Sequence, residues 1–114
     1  MKLITKEIAT RLEKYPLYSQ DGKKQHAICL AKFFLGAWTW YIIEANLDEG
    51  LAFGITIPSN GEAEYGYISL SELQSVRTKL GLTVERDTFF TPTQLKDIED
   101  EYLQTFLKKV YEEA

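Results

Sequence analysis

The sequence predicts an α+β fold: a curved antiparallel sheet of four to five strands, an N-terminal helix, a helix after strand four and a long C-terminal helix. Three observations predict it. The first fifteen residues place apolar side chains at helical spacing. Residues 26–68 form apolar and β-branched runs separated by short turn signals. Two helix-start signatures follow, at "SLSEL" and "TPTQ".

In "LITKEIATRLEKY", Leu3, Ile4, Ile8, Leu12 and Tyr15 share one stripe of a helix that Pro16 stops, because proline cannot continue the hydrogen-bond ladder. "SQDGKKQ" is a turn-rich connection. "HAICLAKFF" is the first predicted strand, and Gly36 turns it into "WTWYIIEANL". "NLDEG" leads to a third strand, "LAFGITIP", which Pro58 closes. Asn60-Gly61 is a hairpin signal ahead of the fourth, "AEYGYISL". Connections this short imply an antiparallel meander.

Ser69 and Glu72 form a capping-box pattern, and the helix they start is expected to run through Leu80 to a left-handed cap at Gly81. "TVERDTFF" is a fifth, short strand. Thr91, Pro92 and Gln94 predict the start of a last helix over 92–113. Its apolar face holds Leu95, Ile98, Tyr102, Phe106 and Val110, and its acidic face Asp97, Glu99, Asp100 and Glu101. Trp40, Ile42, Phe53, Ile55, Ile57, Ile68, Leu73, Val76 and Leu80 are the predicted core.

At 114 residues the chain is expected to be one domain over 1–114. No apolar run approaches the roughly 20 residues that span a bilayer, and the N-terminus has no signal-peptide core. Cys29 is the single cysteine, so no intrachain disulfide forms, and a cytoplasmic location is expected. One His and one Cys do not make a zinc site, and no cofactor or metal is expected. The net charge of −4 is uneven: +4 over residues 1–35, −5 over 36–91 and −3 over 92–114. Such a chain repels phosphate overall, and Lys2, Lys6, Lys14, Lys23, Lys24 and Lys32 read as dispersed. Nucleic-acid binding is therefore expected to be weak at most.

"GAWTWYIIE" holds both tryptophans. Strict alternation puts Trp38, Trp40, Ile42 and Glu44 on one face and Thr39, Tyr41 and Ile43 on the other. Trp40 reads as core. Trp38, beside the Gly36 turn, reads equally as core or as binding surface. Tyr65 and Tyr67 share a face, and Gly66 between them leaves space that Trp38 could fill. A His26–Cys29 dyad is disfavoured, because the two would face opposite ways on a strand. Glu44, Glu64, Glu85 and Asp87 could converge if their strands are neighbours, with Glu85 or Asp87 pairing Arg86.

The blocks "LITKEI", "GAWTWYIIE", "FGITIP", "EYGYISLSELQSV" and "GLTVERDTFF" occur here in an order that resembles the bacterial domain-of-unknown-function family 2958, over roughly residues 1–92. The resemblance implies a small cytoplasmic accessory protein of plasmids, conjugative elements or phages. It implies no particular reaction, and most of the acidic C-terminal helix lies beyond it.

Three functional readings compete. In the first, a non-catalytic accessory protein, monomer or homodimer, binds another protein through aromatic residues or the acidic helix. Its candidate residues are Trp38, Tyr41, Glu44, Tyr65, Tyr67, Glu85, Asp87, Asp97, Asp100 and Glu101. One concrete version is an inhibitor of a host defence nuclease such as a CRISPR effector. The second is an enzyme with a carboxylate-lined site. The third is a nucleic-acid-binding accessory protein using the basic first third.

Overall fold

A computed structural model describes residues 1–112 of the chain. Helix α1 (Lys6–Glu13) starts where Thr5 Oγ1 accepts the Ile8 amide at 3.2 Å. The predicted first strand is two short ones, β1 (Ile28–Cys29) and β2 (Ala31–Leu35). Then come β3 (Trp38–Asn46), β4 (Leu51–Ile57), β5 (Glu64–Ser69), α2 (Leu70–Ser75), β6 (Glu85–Arg86), β7 (Thr93–Gln94) and α3 (Glu101–Tyr111). The main sheet has the order β5-β4-β3-β2-β6, antiparallel throughout, and β1 pairs with β7 in a small second sheet. The predicted meander is its centre, and Gly36, at φ 56°, makes the turn between β2 and β3.

Both faces of this sheet are covered, which explains the near-continuous apolar runs in its strands. On one face, Ile8 and Leu12 of α1 and Leu70 and Leu73 of α2 pack with Phe33, Ile42, Ala52 and Ile68. On the other, Leu95, Leu103 and Leu107 pack with Tyr41, Ile43, Ile55 and Ile57. Ile42, Ile55, Ile57, Ile68 and Leu73 are buried as predicted, whereas Trp40 and Phe53 are half-buried.

Several expectations are corrected. Helix α2 stops at Ser75, because Val76 turns to extended backbone. Val76 and Leu80 are therefore exposed rather than core, Leu80 at 87%. Gly81 has a left-handed φ of 81°, but it serves a turn closed by the Arg77–Thr83 bridge, not a helix end. The Thr91-Pro92 signal starts no helix: the chain stays extended into β7, pairs with β1, and makes one short turn at Leu95–Asp97. Helix α3 begins only at Glu101, capped by Asp100, whose Oδ1 accepts the Leu103 amide at 3.2 Å. Leu103 and Leu107 form its buried stripe, while Tyr102 and Val110 are exposed. Residue 113, predicted as its end, lies outside the described residues.

Candidate functional site

The alternation of β3 breaks at a bulge. Ile42 pairs with Gly54 and Glu44 with Phe53, so Ile43 is the extra residue. Glu44 is thereby carried to the Tyr41 face, away from Trp38 and Trp40. This corrects the strict-alternation reading. Its carboxylate is 2% exposed and accepts the Tyr18 amide at 2.9 Å and the Gln20 amide at 2.6 Å. Gln20 is buried beside it. Its Nε2 donates to the Ile28 and Ile43 carbonyls at 2.7 and 2.8 Å, and its Oε1 accepts the Ile28 amide at 2.7 Å. Two buried polar side chains thus pin the 16–27 connection to the bulge. Tyr18 takes a left-handed φ of 74° there, unusual for a bulky residue, and its hydroxyl meets that of Tyr67 at 2.9 Å.

Tyr65 and Tyr67 share the expected face, with Phe53 between them. Phe53 stacks on Tyr65 at 5.8 Å between centroids and meets the edge of Tyr67 at 5.3 Å. Tyr65 also contacts Phe106, and its hydroxyl is 2.6 Å from that of Tyr111. A cavity of about 370 Å3 opens beside this row, lined in part by Gln20, Glu44, Phe53, Tyr65 and Tyr111. Burial, then the Tyr111 hydrogen bond, pushes the Tyr65 phenol up, and the Tyr18 hydrogen bond raises that of Tyr67.

Trp38 lies at the opposite, Gly36 end of the sheet. It is 41% exposed and stacks on Trp40 at 5.8 Å with 22° between rings. It does not fill the space at Gly66, which has no atom within 4 Å of a built Cβ. Glu85 pairs with Phe34 and Arg86 with Phe33, so the chain entering β6 arrives from the Gly36 end. The 77–83 turn thus sits at the same end as Trp38, and it carries Leu80 and Leu82, 87% and 56% exposed.

The remaining candidates disperse. Tyr41 is fully buried, its hydroxyl donating to Asp100 Oδ2 at 2.6 Å. Asp100 is thus a cap rather than part of a free acidic face. Asp97 is exposed and paired with Lys96 at 3.0 Å, and Glu101 is exposed. The four carboxylates do not converge: Glu64 and Glu85 occupy opposite edges of the sheet and Glu44 is buried between them. Asp87 pairs with Lys32 at 3.7 Å, while the Arg86 guanidinium donates to the Lys2 carbonyl, so the expected partner is corrected. Cys29 is buried, donates to the Ala31 carbonyl, and is pushed up to about 12 by burial. Such a thiol is a poor nucleophile. Among the described residues no group of three or more His, Cys, Asp or Glu side chains is placed to hold a metal ion, and no helix is long and apolar enough to cross a membrane.

Sequence reasoning missed Tyr18, Phe53, Leu80 and Leu82. The "KLGL" run was the available signal for the last two, because a leucine on each side of a turn glycine fits an exposed loop as well as a helix end. Nothing local marks Tyr18.

No curated protein and no solved structure matches the chain. The profile of the family described as "Protein of unknown function (DUF2958)" matches residues 3–101, which extends the shared region past 92 to the first residue of α3. The chain belongs to that family.

Proposed function

We propose that this protein is a small, non-catalytic accessory protein that binds another protein through the Gly36 end of its sheet, with Trp38 at the centre. The observation that carries this is the exposure of Trp38 at the Gly36 end of the sheet, the end from which the chain bearing the exposed Leu80 and Leu82 enters β6. Large apolar side chains cost little free energy to present singly, but a group of them is favourable only once covered. Tryptophan is enriched among the residues that dominate interface energies. The acidic balance of −5 over residues 36–91, with Asp97, Glu99, Asp100 and Glu101 ahead of and at the start of α3, adds a field that favours a basic partner. Within this reading the protein acts in the cytoplasm on behalf of a mobile genetic element, and inhibition of a host defence nuclease is one such action. An acidic surface competes there for a basic nucleic-acid channel.

The test is affinity capture from a bacterial lysate with three proteins: the natural chain, a Trp38→Ala/Leu80→Ser variant, and an Asp97→Asn/Glu101→Gln variant. A protein captured by the first and third and lost with the second supports the Gly36 end as the interface. Loss only with the third moves the interface to the acidic segment 97–101 ahead of and at the start of α3. Equal capture by all three refutes both surfaces.

A further inference from the structure

A positively charged recess opens in this acidic protein at the sheet edge where β6 ends. β6 pairs with β2 through Glu85 and Arg86 alone, and the Asp87 amide adds one bond to the Lys32 carbonyl at 3.0 Å. Residues 88–91 and the start of α1 then form the two walls of a cavity of about 450 Å3. Lys6, Arg11, Lys32 and Arg86 line it against Glu7 and Asp87, a local balance of +2 in a chain of −4. The basic residues of the first third are therefore partly gathered, not dispersed as the sequence suggested. Three elements far apart in sequence, α1, β2 and β6, supply them.

The cations are incompletely neutralised. Arg11 Nη2 meets Glu7 at 2.8 Å, but Glu7 is itself exposed, and exposed pairs contribute little. Lys32 and Asp87 are 3.7 Å apart, a loose contact, and Asp87 Oδ1 is already taken by the Phe89 amide at 2.9 Å. Lys6 has no ion-pair partner among the described residues. Thr5, Thr88 and Thr91 add hydroxyl donors to the lining.

We propose that this cleft binds the phosphoryl group of a phosphate monoester. A monoester phosphate carries nearly two negative charges at neutral pH, which the local +2 matches, and its oxygens accept from a guanidinium, an ammonium and hydroxyls alike. The cavity is larger than a bare phosphate. Lys32, Asp87, Phe90 and Thr91 also line a neighbouring depression of about 280 Å3, together with Phe89, which is 94% exposed, and with Asp97 and Glu99. A flat organic group attached to the phosphate stacks there, which makes a nucleoside monophosphate the fitting class. This site is separate from the Gly36 end and stands or falls independently of the protein-binding reading.

Calorimetric titration of the full chain with adenosine monophosphate and with inorganic phosphate tests it. Saturable binding of both is expected, tighter for the nucleotide, with Phe89→Ala bringing the two together. Lys6→Glu changes an exposed residue and is expected to weaken both by about tenfold. Glu7→Gln, which removes the anion beside Arg11 Nη2 and leaves Nη1 on the Leu30 carbonyl, is expected to strengthen both. Lys109→Glu makes the same change in net charge outside the cleft and is expected to leave binding unchanged. Circular dichroism confirms that each variant is folded. Absence of saturable binding at millimolar ligand overturns the proposal. Equal weakening by Lys6→Glu and Lys109→Glu also overturns it, because it reduces the effect to overall charge.

Discussion

The Tyr41 hydroxyl donates to Asp100 Oδ2 at 2.6 Å, while Asp100 Oδ1 accepts the Leu103 amide at 3.2 Å. One carboxylate therefore ties the central strand of the sheet to the first turn of α3. The family match ends at Glu101, one residue beyond this bond. The helix is thus anchored to the shared fold at its start, and from there Leu103 and Leu107 bury against the same sheet face as Tyr41.

Tyr41→Phe keeps the ring in the core and removes only the hydroxyl. Its loss leaves one Asp100 oxygen, part-buried, without its donor. We expect a loss of about 1–3 kcal/mol, read as a lower urea midpoint with an unchanged slope. Asp100→Ala is expected to cost more, because the cap is lost as well. An unchanged midpoint in Tyr41→Phe shows that the bond adds nothing to stability.

Glu44→Ala removes the acceptor of two backbone amides beneath the 16–27 connection. With Tyr18 N–H and Gln20 N–H left unpaired, destabilisation of roughly 2–5 kcal/mol is expected. Limited proteolysis should then cut first within residues 16–27. Glu44→Gln keeps one acceptor oxygen and is expected to fall between the two. Cleavage elsewhere at unchanged rate in this connection argues against the pinning role.

Alkaline pH tests Cys29, Tyr41 and Tyr65 together. Burial pushes the Cys29 thiol from 9.0 up to about 12. Burial, then the Asp100 hydrogen bond, raises the Tyr41 phenol above its ordinary 10.0, and burial with the Tyr111 hydrogen bond does the same for Tyr65. In each case the folded state holds the proton more firmly than the unfolded chain. The sign follows: the Cys29 contribution is complete below pH 9.0 and is lost as pH rises toward 12, while those of the tyrosines begin to fall only above 10.0. The melting temperature should be flat near neutrality as far as these groups are concerned, then fall above pH 9.0. Cys29→Ala should delay the onset toward the tyrosine value of 10.0. A melting temperature that rises through this window contradicts the sign.

The strand meander was legible because its turns are encoded locally, in Gly36, Gly50 and Asn60-Gly61, and the runs between them suit strands alone. The bulge at Ile43 was not. "WYIIEA" is apolar at successive positions and both sheet faces are buried, so a shift of one residue leaves no mark in the pattern. The ends of α2 and α3 failed for a different reason. Val76 and Leu80 keep the helical period without a helix, and Thr91-Pro92 suits an extended strand as well as a helix start. The tertiary pairing of β7 with β1 decides between them, and nothing near residue 92 announces it. Of the candidate site, Tyr65, Tyr67 and Trp38 were readable from aromatic type and strand position. The positive cleft was not, since it draws on Lys6, Arg11, Lys32 and Arg86 from separate elements.

Two glycines that face each other across β4 and β5 give the sharpest contrast between tolerated and forbidden change. Gly54 pairs with Gly66 on one side and Ile42 on the other. A Cβ built on Gly54 would lie 1.9 Å from the Tyr41 carbonyl oxygen and 2.9 Å from its carbon. Those are backbone atoms of the central strand, so no side chain can swing aside to relieve the clash. The absent Cβ is what lets β4 close on β3 immediately before the bulge. Gly66 has no such neighbour within 4 Å and lies on the edge strand, with no left-handed φ to protect. Gly54→Ala is therefore expected to destabilise by about 3 kcal/mol or more, while Gly66→Ala is expected to be neutral or to stabilise by about 0.5 kcal/mol through the unfolded chain. Thermal and urea melts of the two single variants decide it. A Gly54→Ala protein as stable as the parent means that β3 and β4 do not approach as closely as this register requires.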